Sequence, residues 1–220
     1  WSAVLDQLSQ HYQVLIFANR GAGQTNVPNG AYTIKQMADD TVSLCKALGI
    51  TQAHFVGNSM GGYITQTIAY HYPDMVKSAI ISNSAMITQT CFHFFVQAQR
   101  ELKDAGAPAP ALIKASCSWA FSYQFLKQPN QFEQLINWGL NNPYPFTPEG
   151  FAGQYPALDA FDSRPWAHKI TARTLIITGD QDLILSPTLS EDLANTIPNA
   201  KLYCFKNCGH LPMIEYPTQF

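Results

Sequence analysis

Charge is scarce in this chain. Only 13% of its 220 residues are Asp, Glu, Lys or Arg, about half the usual quarter, and the formal net charge is −2. That composition leaves no footprint for nucleic acid or for an anionic membrane surface. No apolar run approaches the roughly 20 residues of a membrane span, and no secretory leader is visible. Internal repeats and low-complexity tracts are also missing. Cysteine is sparse and odd in number: Cys45, Cys91, Cys117, Cys204 and Cys208. An odd count in a chain of this size reads as free thiols in a reducing compartment, so the expected location is cytoplasmic. Cys204 and Cys208 stand four apart and close to His210. No second pair accompanies them and Cys204 belongs to a strand-like run, so no metal site is expected; Cys208 is expected to line a site beside His210. What the chain has in quantity is apolar side chain, 46% of the total, and length enough for a sizeable core in one or two domains.

The apolar residues alternate between two periods. Val14-Leu15-Ile16-Phe17-Ala18 reads as a short strand closed by a glycine-rich turn. Thr33 then caps a helix, with Gln36 three residues on completing a capping box. The inner face is Ile34, Met37, Ala38, Thr41, Leu44, Cys45 and Leu48, a helical period, and Gly49 stops it. A strand at Ala53-His54-Phe55-Val56 follows, then a helix through about His71 that Pro73 ends. Val76 to Ser82 is the next strand. This β-α-β-α-β order predicts a parallel sheet with right-handed crossovers. From Ala85 to Phe161 there are helix-like pieces separated by prolines and no good strand, and the alternation resumes at Arg173. That segment carries fourteen of the chain's 27 aromatic residues.

Gly57-Asn58-Ser59-Met60-Gly61 lies between the second of those strands and a helix. A serine on a tight strand-to-helix turn has its hydroxyl pushed out of the fold, and the glycines let the backbone turn where a side chain would clash. A serine hydroxyl is a weak nucleophile until a base takes its proton and an acid orients that base. Both residue types stand downstream, each just past a strand-like run. Leu175 to Thr178 leads into Gly179-Asp180-Gln181-Asp182, and Leu202 to Phe205 leads to Gly209-His210. In a parallel sheet those strand ends share one edge, where active sites of open α/β folds gather.

With Gly62 added to the first motif, Pro187 after the second, and Glu215 and Pro217 after the third, these segments resemble the α/β-hydrolase family. Asn19-Arg20-Gly21-Ala22-Gly23-Gln24-Thr25 is similar to that family's Asp-x-Arg-Gly-x-Gly-x-Ser turn, with Asn19 and Thr25 departing from it. The resemblance implies a mostly parallel, doubly wound sheet: a core of residues 1–84 and 162–220, with residues 85–161 as an inserted helical cap over the site. It implies Ser59 as nucleophile, His210 as general base and then acid, Asp182 as the orienting acid, and the Met60 N–H as an oxyanion donor. Asp180 competes for the orienting role; its alternative is a turn carboxylate bonding backbone amides. The resemblance also implies that a second oxyanion donor lies upstream of residue 1 and that the last helix is cut short after Phe220, a chain truncated at both ends.

The implied reaction is cofactor-free, on a small-molecule carboxylic ester or lactone. Enol-lactonase-like esterases and meta-cleavage C–C hydrolases both resemble the segment around Ser59. The latter usually carry Trp after the catalytic histidine, where this chain has Leu211. A non-catalytic small-molecule receptor on the same fold is the alternative from another class. Candidate pocket residues are Asn58, Trp119, Phe121, Tyr123, Trp138 and Leu211. Most aromatics of the inserted segment are expected to pack it together. His54 is expected in the core, His71 at a helix end, and His11, His93 and His168 in surface or packing roles.

Overall fold

A computed structural model describes residues 1–220. In chain order the elements are α1 (Ser2–Ser9), α2 (Ile34–Ala47), β1 (Ala53–Asn58), α3 (Met60–His71) and β2 (Val76–Ser82). The helices α4 (Thr90–Asp104), α5 (Ala109–Ala120), α6 (Tyr123–Leu126), α7 (Gln131–Leu140) and α8 (Pro148–Asp159) follow. The chain closes with β3 (Thr174–Gly179), α9 (Pro187–Thr196), β4 (Lys201–Phe205) and α10 (Pro212–Glu215). The four strands form one parallel sheet in the order β1-β2-β3-β4. All four therefore point their C-terminal ends at the same edge.

Local chemistry sets the helix limits. The Thr33 hydroxyl accepts from Gln36 N–H at 3.0 Å and the Gln36 side chain accepts from Thr33 N–H at 2.9 Å, a reciprocal cap at the start of α2. Gly49 ends it in the left-handed region, at φ +73°, which a residue without Cβ adopts freely. The α2 face that is buried comprises Ile34, Met37, Ala38, Thr41, Val42 and Cys45; Leu48, expected with them, lies past the last turn and is 56% exposed. Helix α3 is buried along Gly62–Ala69 because it is covered on two sides, by β1 and β2 and by α2. Its Tyr63, Ile64 and Ile68 join Phe55 and the α2 face in the largest core cluster. Each such side chain contributes about 1.5–3 kcal/mol by leaving water. A second cluster joins Ala79, Ile81 and Ile176 of the sheet to Leu193 and Ile197 at α9. The opposite face of the sheet offers Ile177 and Phe205, which pack with Cys208, Tyr216 and Phe220.

Two expectations are corrected. Val14 to Ala18 forms no strand. Leu15, Ile16 and Phe17 are exposed, and no strand of the sheet pairs with them. An apolar run supplies only half of a strand; the ladder partner supplies the other half. His54 is not in the core but on the exposed side of β1, where its Nδ1 sits 2.7 Å from Ser78 Oγ on the neighbouring strand. Strand alternation decides this, because Phe55 beside it takes the inward position.

Between β2 and β3 the chain is helical, apart from one antiparallel bridge pairing Ile87 with Asp162. Ala85, Ala157 and Phe161, at the two ends of this stretch, belong to the main core cluster. Tyr63 stacks on Phe161 with ring centroids 4.3 Å apart, and burial pushes its phenol up to about 12. Farther along, Cys117, Phe121, Phe125 and Leu135 make a separate cluster that Leu211 and Ile214 touch from the far end of the chain.

Candidate active site

Ser59 sits on the turn between β1 and α3 with φ +55° and ψ −120°. A non-glycine residue rarely holds such angles, at a cost of about 1–3 kcal/mol. The turn is held in place from three directions. Ser59 N–H donates to Ser82 O at 2.9 Å, and Ser59 O accepts from Gly62 N–H at 2.8 Å and from Ser84 Oγ at 3.0 Å. The small neighbours are required by contact: a Cβ at Gly57 would strike the Gly61 backbone, and one at Gly62 would strike the Ser84 side chain. Although Ser59 occupies the N-cap position of α3, its hydroxyl caps nothing. The hydroxyl has no protein hydrogen-bond partner, and neither does the Met60 N–H at the first turn of α3. The positive end of the helix adds to that donor.

Asp182 and His210 come together at the same sheet edge. His210 Nδ1 lies 2.8 Å from Asp182 Oδ2, and both side chains are buried. Four donors converge on this carboxylate. Oδ1 accepts from Ile184 N–H at 2.9 Å and Leu185 N–H at 3.0 Å. Oδ2 accepts from Asn83 Nδ2 at 2.8 Å and from the imidazole. A carboxylate can only accept, so Nδ1 carries the ring proton and Nε2 keeps its lone pair. An imidazole so held can take a proton from a hydroxyl. Ser59 Oγ makes no hydrogen bond to it in this structure, a looseness common in sites without substrate.

Asp180 has a different environment. Its Oδ1 accepts from Cys208 N–H at 3.3 Å, and Lys206 Nζ stands 3.9 Å from Oδ2. It does not touch His210.

Asn83 was not singled out by sequence reasoning. It follows β2 directly, is fully buried, and holds φ +44°. Its Nδ2 donates to Asp182 Oδ2 and, at 3.1 Å, to Gly209 O. The available signal was an asparagine directly after an apolar strand, since Asn tolerates left-handed backbone. Glu215, five residues past His210 in the third motif, accepts through Oε1 from Gly209 N–H at 2.9 Å and from Ser122 N–H at 3.2 Å.

The candidate pocket residues divide. Asn58 and Leu211 flank Ser59 and His210 in sequence and are half-buried. Phe121 is buried and stacks on Phe125 with centroids 4.8 Å apart. Trp119 packs on Phe95 at the same separation, 4.8 Å. Tyr123 and Trp138 are 69% and 71% exposed. Neither lines an enclosed space: Tyr123 opens α6 just past the bend at Phe121, and Trp138 lies on an exposed face of α7. Cys208 does not line the site either; it is buried against Ile177 and Phe205, and burial pushes its thiol up. His93 packs on Tyr155, with Nδ1 2.9 Å from the phenol oxygen.

Comparison with known proteins bears on the family and the fold. A family model described as alpha/beta hydrolase fold matches residues 1–217. The chain is 27% identical over 220 residues to 3-oxoadipate enol-lactonase 2 of Acinetobacter baylyi, covering 100% of this chain and 80% of that protein. The crystal structure of the enol-lactonase from Burkholderia xenovorans LB400 superposes with a TM-score of 0.86 at 28% identity, over 100% of this chain and 82% of that one. A thermophilic esterase from Thermogutta terrifontis matches with a TM-score of 0.83 at 25% identity, over 100% and 80% of the two chains.

Proposed function

We propose, from the premise that the chain belongs to the α/β-hydrolase fold family, that it is a serine hydrolase of carboxylic esters or lactones. The observation that carries the reading is Ser59 at φ +55°, with an unshared hydroxyl, on the sheet edge that also holds the 2.8 Å Asp182–His210 pair.

The reaction follows from those atoms. Ser59 Oγ attacks the carbonyl carbon while His210 Nε2 takes its proton. Asp182 offsets the charge that the imidazole gains. The oxygen that becomes negative receives the Met60 N–H, which has no competing protein acceptor. His210 then gives its proton to the leaving oxygen, and the ester or lactone C–O bond breaks to leave an acyl group on Ser59. A water molecule, deprotonated by the same imidazole, releases the acid and restores Ser59. No cofactor enters. Residues 85–161 serve as a helical cap, with Phe121 and Leu211 forming part of its seat beside His210. Ester and lactone chemistry is favoured by the names of the enol-lactonase and esterase relatives and by Leu211 after His210, where C–C hydrolases usually carry Trp.

Intact mass after fluorophosphonate treatment tests this. The expected result is one adduct on the wild-type protein and none on Ser59→Ala, with equal thermal stability. Turnover retained by Ser59→Ala would sink the assignment. A folded wild-type protein that takes no adduct would make the chain a binding module.

A further inference from the structure

Gly209, the residue before His210, is gripped on both sides of its peptide. Its N–H donates to Glu215 Oε1 at 2.9 Å and its carbonyl accepts from Asn83 Nδ2 at 3.1 Å. The same Glu215 oxygen accepts from Ser122 N–H at 3.2 Å, at the bend between α5 and α6. From that bend Ala120 O in turn accepts from His210 N–H at 2.7 Å. The bend and the loop are in direct contact, since a Cβ at Gly209 would lie 2.6 Å from Ala120 O and 2.8 Å from Ser122 N.

Glu215 is held there against its own solvation. Its Oε2 is buried with no partner. Burial pushes its carboxyl up, and the nearby Asp182 adds to that rise against the two backbone donors. A glutamate at the end of a short helix ordinarily reaches water. Withholding it from water costs free energy, and what the fold gains is a single acceptor shared by two backbone donors on different segments.

We propose that Glu215 is a positioning residue for His210. Through Gly209 N–H it fixes the loop that carries the imidazole, and through Ser122 N–H it ties that loop to the α5–α6 bend. The inference rests on the serine-hydrolase reading of Ser59 and His210. Glu215 touches neither substrate nor Ser59. It acts by keeping Nε2 aimed where the serine hydroxyl must deliver its proton, and misplacement of about 1 Å costs on the order of 100-fold.

The experiment is the rate of fluorophosphonate labelling of Ser59 as a function of pH, for wild type, Glu215→Ala and Glu215→Gln, with melting curves alongside. Glu215→Ala should label about 10- to 100-fold more slowly, with the midpoint of its acid limb displaced. Glu215→Gln keeps an acceptor oxygen and should restore most of the rate and the wild-type midpoint. Should Glu215→Ala not fold, Glu215→Asp withdraws the oxygen by one methylene and carries the same expectation. A labelled wild type beside an alanine or aspartate variant that keeps both rate and midpoint would overturn the role, leaving Glu215 as mere adhesive between segments. A glutamine variant as slow as alanine would also overturn it. If wild type is not labelled at all, the serine-hydrolase reading fails first and this role falls with it.

Discussion

Replacing Asp182 by Asn should damage this protein in two separable ways. All four hydrogen bonds to the carboxylate come from donors, two on each oxygen. An asparagine offers one oxygen and one amide group. If the oxygen faces Ile184 and Leu185 N–H, the amide faces Asn83 Nδ2 and His210. The imidazole must then turn its lone pair toward the amide, which puts the proton on Nε2 and removes the base. If the oxygen faces His210, the amide points at two buried backbone donors instead. Each buried group left without a partner costs about 1–3 kcal/mol, so two of them cost about 2–6 kcal/mol. At roughly 2–4 °C per kcal/mol for a domain of this size, the melting temperature should fall by about 5–20 °C. On the proposed mechanism, loss of the correct tautomer should lower turnover by about 10⁴-fold, the size of effect known for Ser-His-Asp enzymes. Asp180→Asn keeps an oxygen for Cys208 N–H and forfeits only a loose, partly exposed contact with Lys206, worth at most about 1 kcal/mol, so its labelling rate should change less than about 5-fold. The assay is fluorophosphonate labelling of both variants beside differential scanning calorimetry. Asp182→Asn within tenfold of wild type, or Asp180→Asn equally impaired, would refute the reasoning.

Three further outcomes follow from the same geometry. Gly209→Ala should separate the α5–α6 bend from the His210 loop, because the added carbon meets backbone at 2.6–2.8 Å; slower labelling with loss of amide-exchange protection at residues 120–123 is expected, and unchanged exchange would contradict it. Asn83→Ala removes both Nδ2 bonds and leaves an alanine at φ +44°; denaturant unfolding should show a loss of about 2–4 kcal/mol, and a loss below about 0.5 kcal/mol would mean that neither bond matters. Glu215 gives a pH signature. Its folded carboxyl is raised by burial, so the native state binds the extra proton and stability is greatest below the ordinary glutamate value of about 4.3. Stability then declines as pH rises through the raised value. Glu215→Gln has no such proton, so the wild-type melting temperature should fall relative to that of the variant as pH rises above about 4.3; parallel curves would show that Glu215 is not raised.

The residues alone determined whatever depends on neighbours along the chain. Thr33 and Gln36 cap α2 because their side chains reach backbone donors three residues away. Pro73 follows the end of α3, and β1, β2, β3 and β4 each appear where a short apolar run is closed by turn residues. The turn at Ser59 was legible because two glycines and a strand-to-helix change are local facts. The tertiary structure decided everything that needed a partner from elsewhere. Val14 to Ala18 has strand composition but no ladder beside it. His54 lies within an apolar run yet falls on the open side of the sheet. Asp180 and Asp182 differ by two positions and carry the same charge; only the folded loop puts one against His210 and the other against Cys208 N–H. Asn83 and Glu215 lie far from Asp182 or Ser122 in sequence, 99 residues in one pair and 93 in the other, so local pattern could mark their positions but not the partners they bind. Hydrogen bonds across such separations exist only after the sheet has brought its strand ends to one edge, the edge where Ser59, Asp182 and His210 stand.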